Sequence, residues 1–297
     1  MDYLCFTKNI LVPMKKIALL LSFCSTLFSQ TIDYSPQFPE NDNGFVWERG
    51  LISGGILTFT VISIYNTGKP IYYNQPRGDF HFTKNKSNEL EFFDNSVRGL
   101  DKFGHIFSSS LFSQNIYFMS RWSGLDKSFS SYSAFILASS IMGAMEVHDA
   151  YYKRWGFSIG DFVANVAGAS FVVGQHNIPF LQNFDYKISY DFTRKKSDDA
   201  VIESYANMTF WVTANPVGLF KLKKSWLPNW INIATGISVT HSTPHKTEIL
   251  LGLDFNLKRI KTNSVFLNHI IHTLDRYKFP APAIRIAPDF IGYGIYF

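Results

Sequence analysis

Three short stretches of this sequence carry acidic, imidazole or amide side chains inside segments that are otherwise apolar. In each stretch two polar residues are three or four positions apart, so both members of a pair share one face of a helix. Convergence of these faces would place proton-transferring or metal-binding groups at one centre. The pairs are Asp101 with His105, Glu146 with Asp149, and Asp161 with Asn165.

Imidazole and carboxyl groups on converging faces predict acid–base chemistry. His105 would be a general base oriented by Asp101 or Asp149, and Glu146 would be an acid whose pKa is raised in its apolar helix. His105, Glu146, Asp149 and Asp161 could instead form a metal site with mixed nitrogen and oxygen ligands. A structural network is the third interpretation, because an isolated charge in an apolar helix is costly unless it is paired.

Some of these residues also have local roles. Asp101 could be the N-cap of its helix, and Ser158 with Asp161 matches a capping box. Lys102 could be solvated. We expect one polar cluster in which at least three side chains lie within hydrogen-bonding reach of one another. Its members are Asp101, Lys102, His105, Glu146, Asp149, Ser158, Asp161 and Asn165.

The elements that position these residues follow from the apolar pattern. Long apolar blocks predict about four helices between residues 44 and 178, at about 47–66, 101–121, 129–152 and 159–175. From Asp185 onward apolar and polar residues alternate, which predicts about five antiparallel strands across 185–297. A helix over 264–277 is expected between the last two strands. The fold class is α+β, with either an antiparallel sheet that covers the helices or a small β-barrel.

The N-terminal residues have the pattern of a secretory signal, with Met14 as a second candidate start. We expect residues 1–29 to be the signal peptide and 30–43 to be a linker. Both cysteines of the chain lie before the expected cut, so the mature protein would contain no disulfide. Lipidation at Cys24 is the alternative.

At the polar residues the sequence resembles the YfiM-like family of predicted periplasmic lipoproteins, a domain of unknown function. The family order D-K-x-x-H, E-x-x-D and W-G-F-S-x-G-D-x-x-A-N-x-x-G is present here. The resemblance implies an exported protein of the cell envelope and implies no reaction. The order is also similar, more remotely, to VanZ-like membrane proteins, although Asp149 stands where that family tends to have Gln. The matching positions are Asp101, Lys102, His105, Glu146, Asp149, Trp155, Gly156, Phe157, Ser158, Gly160, Asp161, Ala164, Asn165 and Gly168.

The composition of the chain limits the classes of function that remain open. The chain is 46% hydrophobic and 17% charged, and its net charge of +5 is scattered, so no basic stripe indicates nucleic acid. No nucleotide-binding motif is present, and no cofactor is expected. We therefore expect an outer-membrane or periplasmic envelope protein without enzymatic activity, structural or accessory, whose partner is membrane lipid or another envelope protein. The alternative is a membrane-associated hydrolase that acts on a lipid or cell-wall precursor.

Overall fold

The computed structural model describes residues 44–84, 90–92, 98–192, 205–222, 227–240 and 244–296. The predicted signal peptide and linker, with Cys24, lie outside these residues. The predicted α+β class is confirmed, with helices in the first half and a sheet in the second. The longer helices are α1 (Trp47–Tyr72), α2 (Leu100–Trp122), α3 (Lys127–Asp149) and α4 (Ile159–Asn177).

Helices α2 and α4 pack at very short range because small residues line their contact. A Cβ atom on Gly168 would lie 2.2 Å from the Ile106 carbonyl oxygen, so this position admits only glycine without a shift of the backbone. Ser109 Oγ donates a hydrogen bond to the Asn165 carbonyl oxygen at 2.5 Å. The close approach brings the polar faces of the two helices together.

The second half forms one antiparallel sheet in which sequence neighbours are also spatial neighbours. A short helix α5 (Pro216–Leu219) follows the second strand, and α6 (Val265–Leu274) follows the fourth. Helix α6 confirms the helix expected near 264–277, but it lies between β4 and β5 and not between the last two strands. The strands are β1 (Phe184–Tyr190), β2 (Met208–Ala214), β3 (Ile231–Val239), β4 (Thr247–Phe255), β5 (Ala281–Ala287) and β6 (Ile291–Tyr296).

The small-barrel alternative is wrong, because the sheet is open: within its six described strands, β1 and β6 are the edges and are not paired with each other. The edge of β1 that does not pair with β2 is instead bonded to the loop that follows α6. Ile188 donates its backbone N–H to the Arg276 carbonyl and accepts from the Lys278 N–H, at 3.0 and 2.8 Å. The expected number of about five strands was also short by one. Strand β5 is the additional strand, and Pro282 is its second residue.

The sheet has its polar face inside. Thr209 Oγ1 and Tyr296 Oη are 3.0 Å apart although their strands are not neighbours, so the sheet curls around that face. The following polar side chains of the first four strands are buried: Asp185, Lys187, Ser189, Thr209, Thr213, Asn232, Ser238, Glu248 and Asp254.

The opposite face is apolar, and only one side of it is covered by the helices. Near β1 it packs on α2, where Phe107 contacts Tyr186 and Phe103 stacks on Phe210. Further along the sheet the same face is exposed. Its exposed side chains, which the strand register places together, are Val212, Ile233, Ile249, Leu251, Leu253, Ile284 and Ile286.

A network of buried charges fills the polar side of the sheet. Lys187 is fully buried, and its ammonium lies 2.8 Å from Asp254 Oδ2 and 2.9 Å from Asp275 Oδ1. Lys258 pairs with Asp185 beside them. Burial alone would lower the pKa of Lys187, but the surrounding carboxylates raise it above its ordinary value, so the side chain stays charged.

Lys187→Met should destabilise the protein by about 3–5 kcal/mol, because it leaves two buried carboxylates without their cation. Urea unfolding of the purified protein in mild detergent, at neutral pH, measures this. Lys246→Met is the matched control at an exposed lysine and should change stability by less than about 0.5 kcal/mol. Equal stabilities of the two variants would contradict the assigned role of Lys187.

Candidate functional site

The predicted polar residues of α2, α3 and α4 meet around one buried amide. Asn165 is fully buried and contacts both other helices. Its Nδ2 donates to Glu146 Oε1 at 3.2 Å, and its Oδ1 lies 3.2 Å from His105 Nδ1. The structure therefore links three of the predicted residues in a chain of hydrogen bonds, one from each helix.

A second set of contacts joins this chain to Lys102. The lysine is buried rather than solvated, and its ammonium bonds to Asp101 and lies 2.8 Å from Asp161 Oδ1. On the other side of Asp161, His105 Nε2 is 3.7 Å from the same oxygen. Asp161 thus lies between the ammonium and the imidazole.

Two of the local roles considered for these residues are decided by the cap geometry. Asp101 is not an N-cap: Gly99 occupies that position with a φ of 74°, and the Asp101 carboxylate bonds to Lys102 instead. Ser158 is the N-cap of α4, and its Oγ accepts from the Asp161 N–H at 3.2 Å. Ser158 therefore positions Asp161 through the backbone.

Asp149 does not orient His105 through any contact in the described residues. Its Oδ1 accepts a hydrogen bond of 2.7 Å from the hydroxyl of Tyr73, which directly follows α1. Tyr73 is not among the residues predicted from the sequence, because a tyrosine in a polar loop carries no spacing signal. The ring of Tyr73 also packs against His148 at 4.3 Å, which keeps that histidine away from the cluster.

The electrostatics of the cluster reflect too little positive charge for its carboxyl groups. Burial raises the pKa of Glu146 to about 9, with further increases from Asp161 and Asp149 that Asn165 and Lys102 only partly offset. Burial likewise raises the pKa of Asp149 to about 6. Burial lowers the pKa of Lys102, but the attraction of Asp161 and Asp101 outweighs it and the net shift is upward. At neutral pH Glu146 is therefore a neutral acid in this site.

Such a site has the parts for proton transfer. His105 is partly exposed, with about a quarter of its side chain accessible, whereas Glu146 is almost fully buried. His105 Nδ1 is 3.4 Å from Glu146 Oε1. The arrangement offers an accessible imidazole backed by a buried acid, and it also offers nitrogen and oxygen atoms to a cation.

Comparison with known proteins agrees with the envelope assignment. Residues 91–175 match a family model described as "Predicted periplasmic lipoprotein (DUF2279)", a domain of unknown function. The match contains all eight residues of the predicted polar cluster and none of the sheet. It supports the resemblance to predicted periplasmic lipoproteins and is consistent with an exported protein at the periplasmic face of the cell envelope. Neither a curated protein nor a solved structure matches the chain.

Glu146→Ala should be more harmful to folding than Asp101→Asn. The first change leaves the buried Asn165 amide without its acceptor and opens a cavity, at a cost of about 2–4 kcal/mol. The second keeps the shape of the side chain, and Lys102 retains Asp161 as a partner, so the cost should stay below about 1.5 kcal/mol. Thermal unfolding of both variants measures the order; a larger loss for Asp101→Asn would show that the pair with Lys102 holds the cluster together.

Proposed function

We propose that this protein is a non-enzymatic, structural or accessory component of the cell envelope that binds the outer membrane through the apolar face of its sheet. The observation that carries this proposal is the inverted polarity of the sheet, whose charged side chains point inward and whose aliphatic side chains point outward. Proteins that contact lipid through strands have this arrangement, because lipid solvates the apolar side chains and the interior satisfies the polar ones.

Contact between the outer face of the sheet and lipid would contribute a substantial free energy of binding. Seven aliphatic side chains of the outer face are between 36% and 51% exposed. Removing the rest of each side chain from water is worth on the order of 1 kcal/mol. The strands have six to nine residues, whereas a strand that crosses a bilayer needs about 9–11. Their length favours a sheet that lies against one leaflet.

Helix α1 supplies a second apolar surface. Its segment Trp47–Pro70 is long and apolar enough to cross a membrane by length and composition, and only 6% of that segment is buried. Trp47 at its start is largely exposed, as is typical of an aromatic anchor at a membrane–water interface.

Helix α6 supplies a third exposed apolar surface. It is short, it follows the sheet strand β4, and its apolar residues stay exposed although helical spacing would allow them to face a core. Its exposed side chains are Phe266, Leu267, Ile270 and Leu274.

Flotation with vesicles tests the proposal. The purified protein should float with vesicles of phosphatidylethanolamine and phosphatidylglycerol on a sucrose gradient and should remain bound in carbonate. The double variant Ile233→Asp and Leu253→Asp places two charges at paired positions of the outer face, and we expect at least a tenfold loss of the floated fraction.

Ser128→Asp with Asn177→Asp is the matched control, because it adds two negative charges at exposed positions of α3 and α4. This control should float like the wild type. Release of the wild type by carbonate, or equal flotation of both double variants, would refute lipid binding by the sheet. A stable dimer that forms in detergent and is lost in the sheet variant would instead assign this face to a second copy of the chain.

A second candidate is a membrane-associated hydrolase acting on a lipid or cell-wall precursor, favoured by the accessible His105 beside the buried Glu146. His105 would take a proton from water or a hydroxyl, and Glu146 would supply one to the leaving group. The substrate class follows from the membrane position proposed above.

Glu146→Gln separates this candidate from the structural one. Gln keeps the acceptor for Asn165 but holds no acid proton, so a hydrolase should lose at least 100-fold in activity while the variant folds and accumulates normally. Complementation of a strain lacking the protein, scored by detergent sensitivity, measures this. Full complementation by Glu146→Gln at wild-type abundance would exclude the hydrolase.

A further inference from the structure

Three side chains of the polar cluster offer ligand atoms to a common point. His105 from α2, Glu146 from α3 and Asp161 from α4 each contribute one atom, and these atoms lie within 4.8 Å of one another. Imidazole nitrogen with carboxylate oxygens is a donor set that binds divalent transition metals. Asp149, which the sequence placed in this set, is held by Tyr73 and does not belong to the group.

The tautomer of His105 is fixed by Asn165. The Asn165 amide nitrogen donates to Glu146, so its oxygen is the atom that faces His105 Nδ1 at 3.2 Å. An amide oxygen only accepts hydrogen bonds, so this contact requires a proton on Nδ1. When Nδ1 carries the only ring proton, the other nitrogen, Nε2, has a free electron pair. Metal-binding histidines are held in the same way, by an acceptor at the nitrogen that does not bind the ion.

The electron pair of Nε2 is directed at a second electron-pair donor. Asp161 Oδ1 lies 3.7 Å away, which is too long for a hydrogen bond. Two ligands of one zinc ion, each bonded at 2.0–2.2 Å in tetrahedral geometry, are roughly 3.3–3.6 Å apart. The separation of Nε2 and Oδ1 is close to that of two atoms that share a cation.

The charge balance of the site also favours a cation. Asp161 Oδ1 already attracts one cation, the Lys102 ammonium at 2.8 Å, and the Glu146 carboxyl offers an oxygen to the same centre. A buried carboxylate needs a positive partner. A divalent ion held between Glu146 and Asp161 would supply one.

We propose that His105, Glu146 and Asp161 bind one divalent transition-metal ion, of which Zn²⁺ is the probe best matched to one imidazole and two carboxylates. Three protein ligands leave a further coordination position open to water or a ligand. Asn165 is a positioning residue that acts through His105. Lys102 competes with the ion, because its ammonium contacts the same Asp161 oxygen.

Titration of the full chain with Zn²⁺ tests the site. Untagged protein in detergent is treated with EDTA, dialysed, and titrated with ZnCl₂ by calorimetry, with Co²⁺ absorption in the visible range as a report of coordination. We expect one ion per chain. His105→Ala and Asp161→Asn should weaken binding at least 100-fold, and Asn165→Ala about 10–100-fold. Lys102→Met should strengthen binding several-fold, because it removes the competing charge.

His148→Ala is the matched control, because this histidine lies on α3 beside Glu146 but packs against Tyr73. It should bind Zn²⁺ like the wild type. The proposal is overturned if the wild type shows no saturable binding below about 1 mM Zn²⁺, or if His105→Ala binds as tightly as the wild type. Binding of Mg²⁺ or Ca²⁺ that does not depend on His105 would also overturn it. His105 is partly exposed, so its variant should fold, as circular dichroism would show, even if Asp161→Asn does not.

Discussion

The ion pairs of the fully buried Lys187 with Asp254 and Asp275 are the interactions on which the second half of the structure depends. A buried ion needs partners on every side, and these come from three places: two strands and the loop after α6. The loop that carries Asp275 also continues into Arg276, whose Nε donates to Gln114 of α2 at 2.6 Å. The charge network therefore supports the curl of the sheet and ties it to the helices, beside a small buried apolar cluster that includes Trp211, Ala234 and Leu250 on the same face.

The helical cluster solves the same problem with a neutral group. Asn165 presents a donor to Glu146 and an acceptor to His105, so one amide joins the buried acid to the imidazole. The ammonium of Lys102 pairs with the carboxylates of Asp101 and Asp161. The Lys187 network is sealed from water and can serve stability alone, whereas the cluster at Asn165 reaches the surface through His105. The cluster at Asn165 is the candidate site because it is accessible to solvent, and not because of the number of its charged groups.

The sequence predicts the elements of this fold better than their surroundings. Helical spacing identified the helices and brought Glu146, His105 and Asn165 to one centre, because 3.6 residues per turn determines which side chains share a face. Tyr73 and Lys187 were missed for different reasons. Tyr73 reaches Asp149 from a loop, and no local pattern marks such a contact. Lys187 stands in an alternating strand, and the alternation does not show that its polar side is buried.

An alternating pattern leaves open which face of the sheet points inward, and this explains why the burial of Lys187 was not predicted. A period of two separates polar from apolar side chains, but it does not say which set faces the interior. In one arrangement the polar face meets water and the apolar face lies in the core. In the other, the apolar face meets lipid and the polar face lies in the interior. The second arrangement needs charges that can pair across strands, and Lys187 with Asp254 provides them. A lysine and an aspartate on the polar faces of nearby strands, in a chain with only 17% charged residues, are thus the sequence signal for an inverted sheet. The same signal, with the exposed aliphatic face opposite, supports a role at a lipid surface.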